Sequence, residues 1–308
     1  MQTEARRPGP STFVAIGLAC FPGVLHAQFT DPRNYSNLPV GLNQLELDYA
    51  VSHANASIDT SIVVGAAELE LNEGAVAYTR TFGLVRHLAW VKAAVPFASI
   101  SGSVTGTGIS DSVAGAGDAS FEIATLLKGG AALSAADFAG YEPTTTVGVS
   151  LTVTGPSGKY DPNKLLNLGS DRWSYKPQVA ISHPFGPEQK WQADFYASAY
   201  FFTDNTAYRG REILRQEPLL GIEGHISYTF TSDLWTSLDS SYAFRGDTVI
   251  DGVDQHDAQK HLTVGTETSW SPTPRSSFVF VLAKSVVHEN APAYTAVGLK
   301  YFYSWGGR

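Results

Sequence analysis

With one cysteine and one methionine in 308 residues, the chain excludes a disulfide framework and a thiolate metal cluster. Charge is scarce too: Asp, Glu, Lys and Arg make up 16% of the residues, against roughly 25% in ordinary soluble domains. Basic residues are the scarcer kind, 21 Lys and Arg against 29 Asp and Glu. The net charge of −8 argues against nucleic acid as a partner, because a phosphate backbone needs a basic face. After the first 27 residues no run of 18 apolar residues occurs, so no transmembrane helix is expected. In place of helix formers the chain is rich in Gly (29), Phe (16) and Tyr (14), with many Val and Thr, which favours strands and turns.

Residues 1–27 read as a secretory signal peptide. Arg6 and Arg7 supply the positive start, Phe13 to Val24 a short apolar stretch, and Ala27 a small residue at the cut, although Leu25 is a poor −3 residue. The segment "GLAC" offers an alternative cut with Cys20 as a lipid-bearing residue; the short apolar run counts against it. If cleavage follows Ala27, the exported chain has no cysteine and must draw its stability from a large hydrogen-bonded structure.

Period-two alternation then recurs, segment after segment. Leu45, Leu47, Tyr49 and Val51 alternate with Gln44, Glu46, Asp48 and Ser52. Trp191, Ala193, Phe195, Ala197, Ala199 and Phe201 alternate with Gln192, Asp194, Tyr196, Ser198 and Tyr200. The same pattern runs through 147–153, 173–182, 222–230, 238–244 and 261–267. These runs are about 9–12 residues long, the length of a tilted strand that crosses a bilayer. Full charges (Lys176, Asp194, Glu223, Asp239, Glu267) sit on one face and apolar residues on the other. Aromatics such as Tyr78, Trp173, Trp191, Trp235, Trp270 and Trp305 cluster at the ends of the apolar faces, as membrane girdles do. A soluble sandwich would show the same alternation with its apolar face inward.

Short links (83–87, 184–190, 231–233, 271–275) alternate with long ones (101–115, 156–171, 204–216, 246–259). The spacing predicts an all-β fold, a transmembrane antiparallel up-and-down β-barrel of about 12 strands over 42–305. Strands are expected to start near residues 42, 74, 88, 118, 144, 172, 191, 218, 234, 260, 277 and 294. The link 128–143 is too long for a periplasmic turn; Arg80 and Lys92 blur the alternation of their strands. Residues 28–41 form an N-terminal periplasmic segment or partial plug. Gly306, Gly307 and Arg308 follow Trp305, where barrel-assembly signals usually end on the aromatic itself.

The stretch "GPSGKYDPNKLLNLGSDRW" at 155–173 looks at first like a phosphate loop. It fails as one: Gly155 and Gly158 are only three apart, Tyr160 follows Lys159 where a hydroxyl residue is needed, and Pro162 interrupts any helix. Pro156, Gly158, Tyr160 and Asp161, followed by Asn167, Leu168, Gly169, Asp171, Arg172 and Trp173, instead resemble the loop of a bacterial family of outer-membrane proteins named after the meta-cleavage pathway of phenol degradation. Gly115, Gly117 and Asp118 (a G-x-G-D lead-in to a strand), Tyr78 with Phe82, and "VPFA" at 95–98 fit the same family in order. The resemblance implies passive passage of small hydrophobic or aromatic molecules across the bacterial outer membrane. In this loop Trp173 is expected at the headgroup level and Arg172 on a lipid phosphate or a loop carbonyl, a folding and anchoring role.

Gln178, Asp194, Glu223, His225, Asp239 and Glu267 are the candidate lumen residues, and Tyr196 and Tyr200 candidate aromatic walls of a substrate path. His225 with Asp239 or Glu267, near Ser227, invites a lipid-hydrolase reading, but no local signature supports it and a barrel interior is polar anyway. The eight His are scattered, and "DGVDQHD" at 251–257 lacks the spacing of a calcium loop, so neither metal nor cofactor is expected. Expected partners are outer-membrane lipid, a small hydrophobic solute and the barrel-assembly machinery. The competing function is a non-conducting structural or adhesive barrel.

Overall fold

The structure, a computed structural model, describes residues 30–56, 67–104, 109–164 and 166–307. The signal-peptide reading of 1–27, with Cys20, lies outside the described residues. The wall is built from β1 (Leu42–Ala56), β2 (Ala67–Leu84), β3 (His87–Val104), β4 (Ile109–Ala116), β5 (Ser120–Lys128), β6 (Thr146–Thr154), β7 (Ser174–Phe185) and β8 (Trp191–Phe202). It continues after two short strands, β9 (Asn205–Tyr208) and β10 (Glu212–Gln216), with β11 (Leu219–Thr231) and β12 (Leu234–Arg245). After β13 (Thr248–Ile250) and β14 (Val253–Asp254) it ends with β15 (Gln259–Thr273), β16 (Ser276–Glu289) and β17 (Ala293–Gly306). Every neighbouring pair is antiparallel, and β4 and β5 share one place beside β3, so 13 strands make 12 staves. β1 closes the ring on β17 in unbroken register from Leu42↔Gly306 to Asn55↔Ala293. The fold is a closed 12-stranded up-and-down barrel.

Which face is apolar separates a membrane barrel from a soluble one. Glu46, Asp48, Gln178, Asp194, Glu223, Asp239, Glu267 and Lys300 are buried in the lumen. Their neighbours in sequence, among them Leu47, Val179, Phe195, Ile222, Leu238 and Leu299, are exposed on the outside. A polar inside with an apolar outside is stable only where the outside solvent is lipid. Aromatic clusters ring the periplasmic rim: Trp191 with Tyr228 (4.7 Å), Trp270 with Phe278 (6.1 Å) and Tyr303 with Trp305 (5.8 Å). Trp235 departs from the expected girdle: its parity on β12 matches Ser237 and Asp239, and its ring meets Arg33 at 4.8 Å inside the barrel. Lys92 also points inward and pairs with Glu46 at 2.6 Å, whereas Arg80 faces out at the rim and donates to Asn43.

Eleven of the twelve expected strand starts fall within two residues of an observed one, and one does not. β2 begins seven residues before position 74, and the supposed long loop over 101–115 is largely strand. Its Gly- and Ser-rich run carries weak alternation, so sequence pattern underrates it. The stave resumes as β5 after a break at 117–119, opposite Pro96, whose carbonyl accepts from Gly117 N at 2.8 Å. A proline has no N–H to give the ladder, so the break falls where none is needed. Between β12 and β15 two rungs are missing, and hydroxyls replace them. Thr236 Oγ1 donates to the Glu267 carbonyl at 2.9 Å and Thr266 Oγ1 to the Ser237 carbonyl at 2.6 Å. In lipid such substitution is obligatory, since water cannot reach those carbonyls.

With the start of β1 and the end of β17 at the periplasmic rim, the short turns 85–86, 186–190, 232–233 and 274–275 lie there, as is usual for outer-membrane barrels. The link 129–145 is long because it folds across the rim: Val40 N donates to Leu133 O at 2.9 Å and Asn37 Nδ2 to Ala131 O at 3.2 Å. At the outer end β9, β10, β13 and β14 form a small separate sheet. Because the ring of staves closes on itself through β1 and β17, local fraying of the wall gains little. The protein is expected to fractionate with outer membranes and to run faster on SDS gels unboiled than boiled; one mobility, with release by osmotic shock, would contradict this fold.

Candidate functional site

Residues 30–41 turn back from β1 into the lumen. Tyr35 is fully buried there, its ring 5.4 Å from Trp90 and 5.3 Å from Tyr196. Its hydroxyl donates to Ser150 Oγ at 2.8 Å and accepts from Gln178 Nε2 at 3.1 Å; its carbonyl accepts from Thr146 Oγ1 at 2.8 Å. Arg33 adopts a left-handed φ of 66°, uncommon for a residue with a side chain. The strain is held by three bonds: its N–H donates to Asp194 Oδ2 (3.1 Å), Nε to Ser227 Oγ (2.8 Å) and Nη2 to Thr229 Oγ1 (2.9 Å). Thr30 N donates to Glu223 Oε2 at 2.6 Å, and Asp31 pairs with Lys300, which also reaches Glu267 at 3.2 Å. Fixed charges of the wall thus grip a short chain segment at mid-barrel.

At the outer end the 155–173 loop folds inward. Leu166 and Leu168 pack into an apolar cluster with Leu69, Leu71, Ile100, Val113 and Tyr294 on the lumen wall. Asp118 ties the loop down: it accepts from Gly158 N (2.8 Å), Ser170 N (2.8 Å) and Ser170 Oγ (2.6 Å). The spacing of the glycines follows from this approach. A Cβ on Gly158 would lie 2.6 Å from the carbonyl carbon of Gly117, and one on Gly169 would lie 2.8 Å from Gly158. The G-x-G-D segment and the 155–173 loop are therefore two halves of one clasp. Asn167 braces the turn by accepting from Asp161 N at 2.7 Å and donating to Asp161 O at 3.1 Å. Tyr160 accepts from Asn205 Nδ2 at 3.0 Å, and Pro156 is exposed at the loop's start. Trp173 is half exposed and packs over Gly155. Arg172 is not at a lipid phosphate: it is buried, bonded to Gln216 Oε1 and stacked 4.4 Å over the Phe202 ring. The inward fold of the loop carries it away from the membrane.

A cavity of about 360 Å³ lies above the N-terminal segment, lined by Thr30, Asp31, Pro32 and Asn34 and by wall residues as far as Asp118, Thr154 and Ser174, which flank this loop. Of the eight candidate residues, Tyr200, His225, Asp239 and Glu267 line it. Gln178, Asp194, Tyr196 and Glu223 face the lumen too, but their polar atoms are engaged with residues 30–35. Lys92, Lys176, Arg245, Glu122 and Lys300 also line the cavity. Their parity on the strands could have placed all five on the inner face. His225 Nδ1 and Asp239 Oδ1 are 2.8 Å apart, Ser227 Oγ accepts from Arg33 Nε, and His225 Nε2 has no hydrogen-bond partner among the described residues. Outside the wall, burial pushes the Asp257 carboxyl up, but the Thr248 N–H and the Arg245 guanidinium outweigh it and hold it below the usual range. Asp247, Asp254 and His256 bring ligand atoms within 4.8 Å of one another on that outer loop, where the latter two are exposed.

The model of the family described as "Putative MetA-pathway of phenol degradation" matches residues 52–304. The chain belongs to that family. Among solved structures it is similar to an outer membrane channel from Pseudomonas putida F1, at 21% identity and TM-score 0.77, covering 90% of this chain and 100% of that one. The β domain of the Bordetella autotransporter BrkA is also similar, at 8% identity and TM-score 0.52, covering 86% and 100%. So is the transport unit of the autotransporter AIDA-I from Escherichia coli, at 6% identity and TM-score 0.52, covering 92% and 95%. No curated protein sequence gave a significant match. At these identities the likeness is one of fold, and it agrees with an outer-membrane barrel. The structures are channels and translocating barrels, not enzymes.

The clasp can be tested directly. Asp118→Ala leaves the N–H groups of Gly158 and Ser170 without an acceptor, each costing about 1–3 kcal/mol, while Ser170 Oγ keeps the Arg172 carbonyl; Gly158→Ala adds a backbone clash of about 1–3 kcal/mol. In both variants trypsin added to whole cells should cut after the exposed Lys159 and Lys164 several-fold faster, while heat-modifiability stays intact. Equal cutting of wild type and variants would mean that the clasp does not hold the loop.

Proposed function

We propose that the barrel is a passive channel for small hydrophobic or aromatic compounds, closed at rest by a plug of residues 30–41 below and the 155–173 loop above. The observation that carries this reading is the cavity of about 360 Å³ between the two closures. It has the size of a small-molecule site, and Tyr200 and Phe202 stand in its wall beside polar groups. Such mixed walls bind weakly, and passage requires weak binding, since a tight site would trap the solute. Membership of the family agrees with the reading. A catalytic role is set aside, because His225 Nε2, the ring nitrogen turned away from Asp239, meets no hydroxyl among the described residues.

Cleavage after Ala27 fits the plug. Thr30 lies in the lumen against Glu223, and a mature chain starting at Gln28 would begin two residues before it. The apolar outer face would contact lipid, and the barrel-assembly machinery would insert it despite the residues after Trp305. A structural or adhesive barrel is the second reading, favoured by the occupation of both lumen ends.

Conductance and uptake separate the two. In planar bilayers, removal of residues 30–38 should raise conductance several-fold over the full mature chain, with cations preferred because acids outnumber bases along the lumen. In cells lacking related barrels, loss of the gene should slow entry of a hydrophobic aromatic compound at low concentration. Tyr196→Ala with Tyr200→Ala should alter that entry without loss of heat-modifiability. No conductance after plug removal, together with unchanged uptake of every aromatic compound tried, would favour the structural reading.

A further inference from the structure

Arg245 closes the outer end of β12 and is only 5% exposed. Its Nη2 donates to the Asp257 carbonyl at 2.7 Å and to Asp257 Oδ2 at 3.0 Å. Its Nε and Nη1 have no hydrogen-bond partner among the described residues, and the residue lines the cavity. Unbonded N–H groups on a buried cation are costly, so the position favours an acceptor that enters from the lumen. The surroundings specify more than an anion. Leu219 pairs with Arg245 on one side and with Tyr200 on the other, so guanidinium, aliphatic side chain and phenol ring share one row. Phe202 lies on the same face, nearly parallel to the Tyr200 ring at 6.4 Å. A second cation, Lys176, has its Nζ 5.2 Å from that ring.

Most acids of the cavity wall lie away from Arg245, and Asp118, at the outer end, is already engaged by Gly158 and Ser170. Asp239 lies six residues below Arg245 on β12, roughly 20 Å along the strand, and Glu267, Glu46 and Asp48 are near Lys300 and Lys92 deeper in the cavity. Glu122, on the wall beyond Lys176, is already engaged by Trp90 and Thr152. Asp257 offsets part of Arg245, but its carboxylate is shared with Thr248 N and Oγ1 at 2.7 and 2.9 Å.

We propose that the outer half of the cavity is a binding site for an aromatic carboxylate, its carboxylate on the unused N–H groups of Arg245 and its ring against Tyr200, Phe202 and Leu219. The proposal rests on the reading of the barrel as an aromatic channel and narrows the solute to an acid. Charge-assisted bonds to a guanidinium are among the stronger kind, and they vanish for a neutral ligand of the same shape. The deeper acids then disfavour the same anion, so the site holds it at the outer end and binding precedes passage.

Equilibrium dialysis of the detergent-solubilised full mature chain tests this with labelled benzoate, benzyl alcohol and acetate. Benzoate should bind saturably, and at least about tenfold more tightly than benzyl alcohol or acetate. Arg245→Gln should weaken benzoate about tenfold and leave benzyl alcohol unchanged. Asp257→Asn removes the competing carboxylate charge and keeps the guanidinium, whose Nη2 still has the backbone carbonyl of residue 257, so it should retain or tighten benzoate binding. Benzoate binding that is equal in wild type and Arg245→Gln, or lost equally in Asp257→Asn, would overturn the proposal. So would benzoate that binds no better than benzyl alcohol. If benzyl alcohol still enters cells faster through the barrel in that case, the channel reading stands and the acid site alone fails; if no aromatic compound binds or enters, both fail.

Discussion

In lipid a backbone N–H or C=O has no water to turn to, and this constraint shapes every other part of the protein. It forces closure, which β1 and β17 provide over 14 rungs. It also governs the exceptions. Where two rungs are missing between β12 and β15, Thr236 and Thr266 supply the donors. Where Pro177 interrupts the β7–β8 ladder, between Tyr175↔Phe201 and Gln178↔Ser198, it withholds an N–H from only one neighbour and still pairs with Leu151 on the other. Threonines and prolines that look unremarkable in sequence thus sit where the sheet can use a hydroxyl or tolerate a missing donor.

Closure then creates a second requirement. Twelve staves enclose more space than lumen side chains fill, yet less than an open porin does. The chain meets this with two of its own segments. The lower one is mostly polar and lies against Gln178, Asp194 and Glu223, with Tyr35 as its apolar anchor among Leu88, Trp90, Leu126 and Tyr196. The upper one is anchored by Leu166 and Leu168 in an apolar patch of β1 to β4. The lumen is therefore not uniformly polar; each closure has a greasy seat cut for it.

The wall was legible because period two is a direct consequence of lipid on one side and polar contents on the other. That is why Leu47 and Glu46, or Phe195 and Asp194, already separate by face in the sequence. What lies inside was much less legible. Parity tells that Asp194 and His225 face inward, but not that Asp194 meets Arg33 while His225 borders empty space. Depth along the lumen has no periodic signature. Arg172 shows the same limit: its place beside Trp173 suggests the interface, and only the inward turn of the loop carries it to Phe202. The motif residues themselves were visible as motifs, since the glycines and Asp118 are demanded by a close backbone approach.

The two closures differ in kind, and the difference bears on which one can open. The upper loop is fixed at both ends, to β6 and β7, and its glycines bring backbone against backbone at Gly117 and Asp118 with no room to shift. Among the described residues, the lower segment joins the wall in sequence through Gly41 and β1. Its remaining hold is a set of individual hydrogen bonds, the Asp31–Lys300 ion pair and one aromatic anchor, each of which has a wall partner able to bond water instead. Releasing Tyr35 exposes one ring, whereas releasing the upper loop exposes two leucines and leaves Asp118 without its three donors. On these grounds the lower closure takes less to release than the upper one.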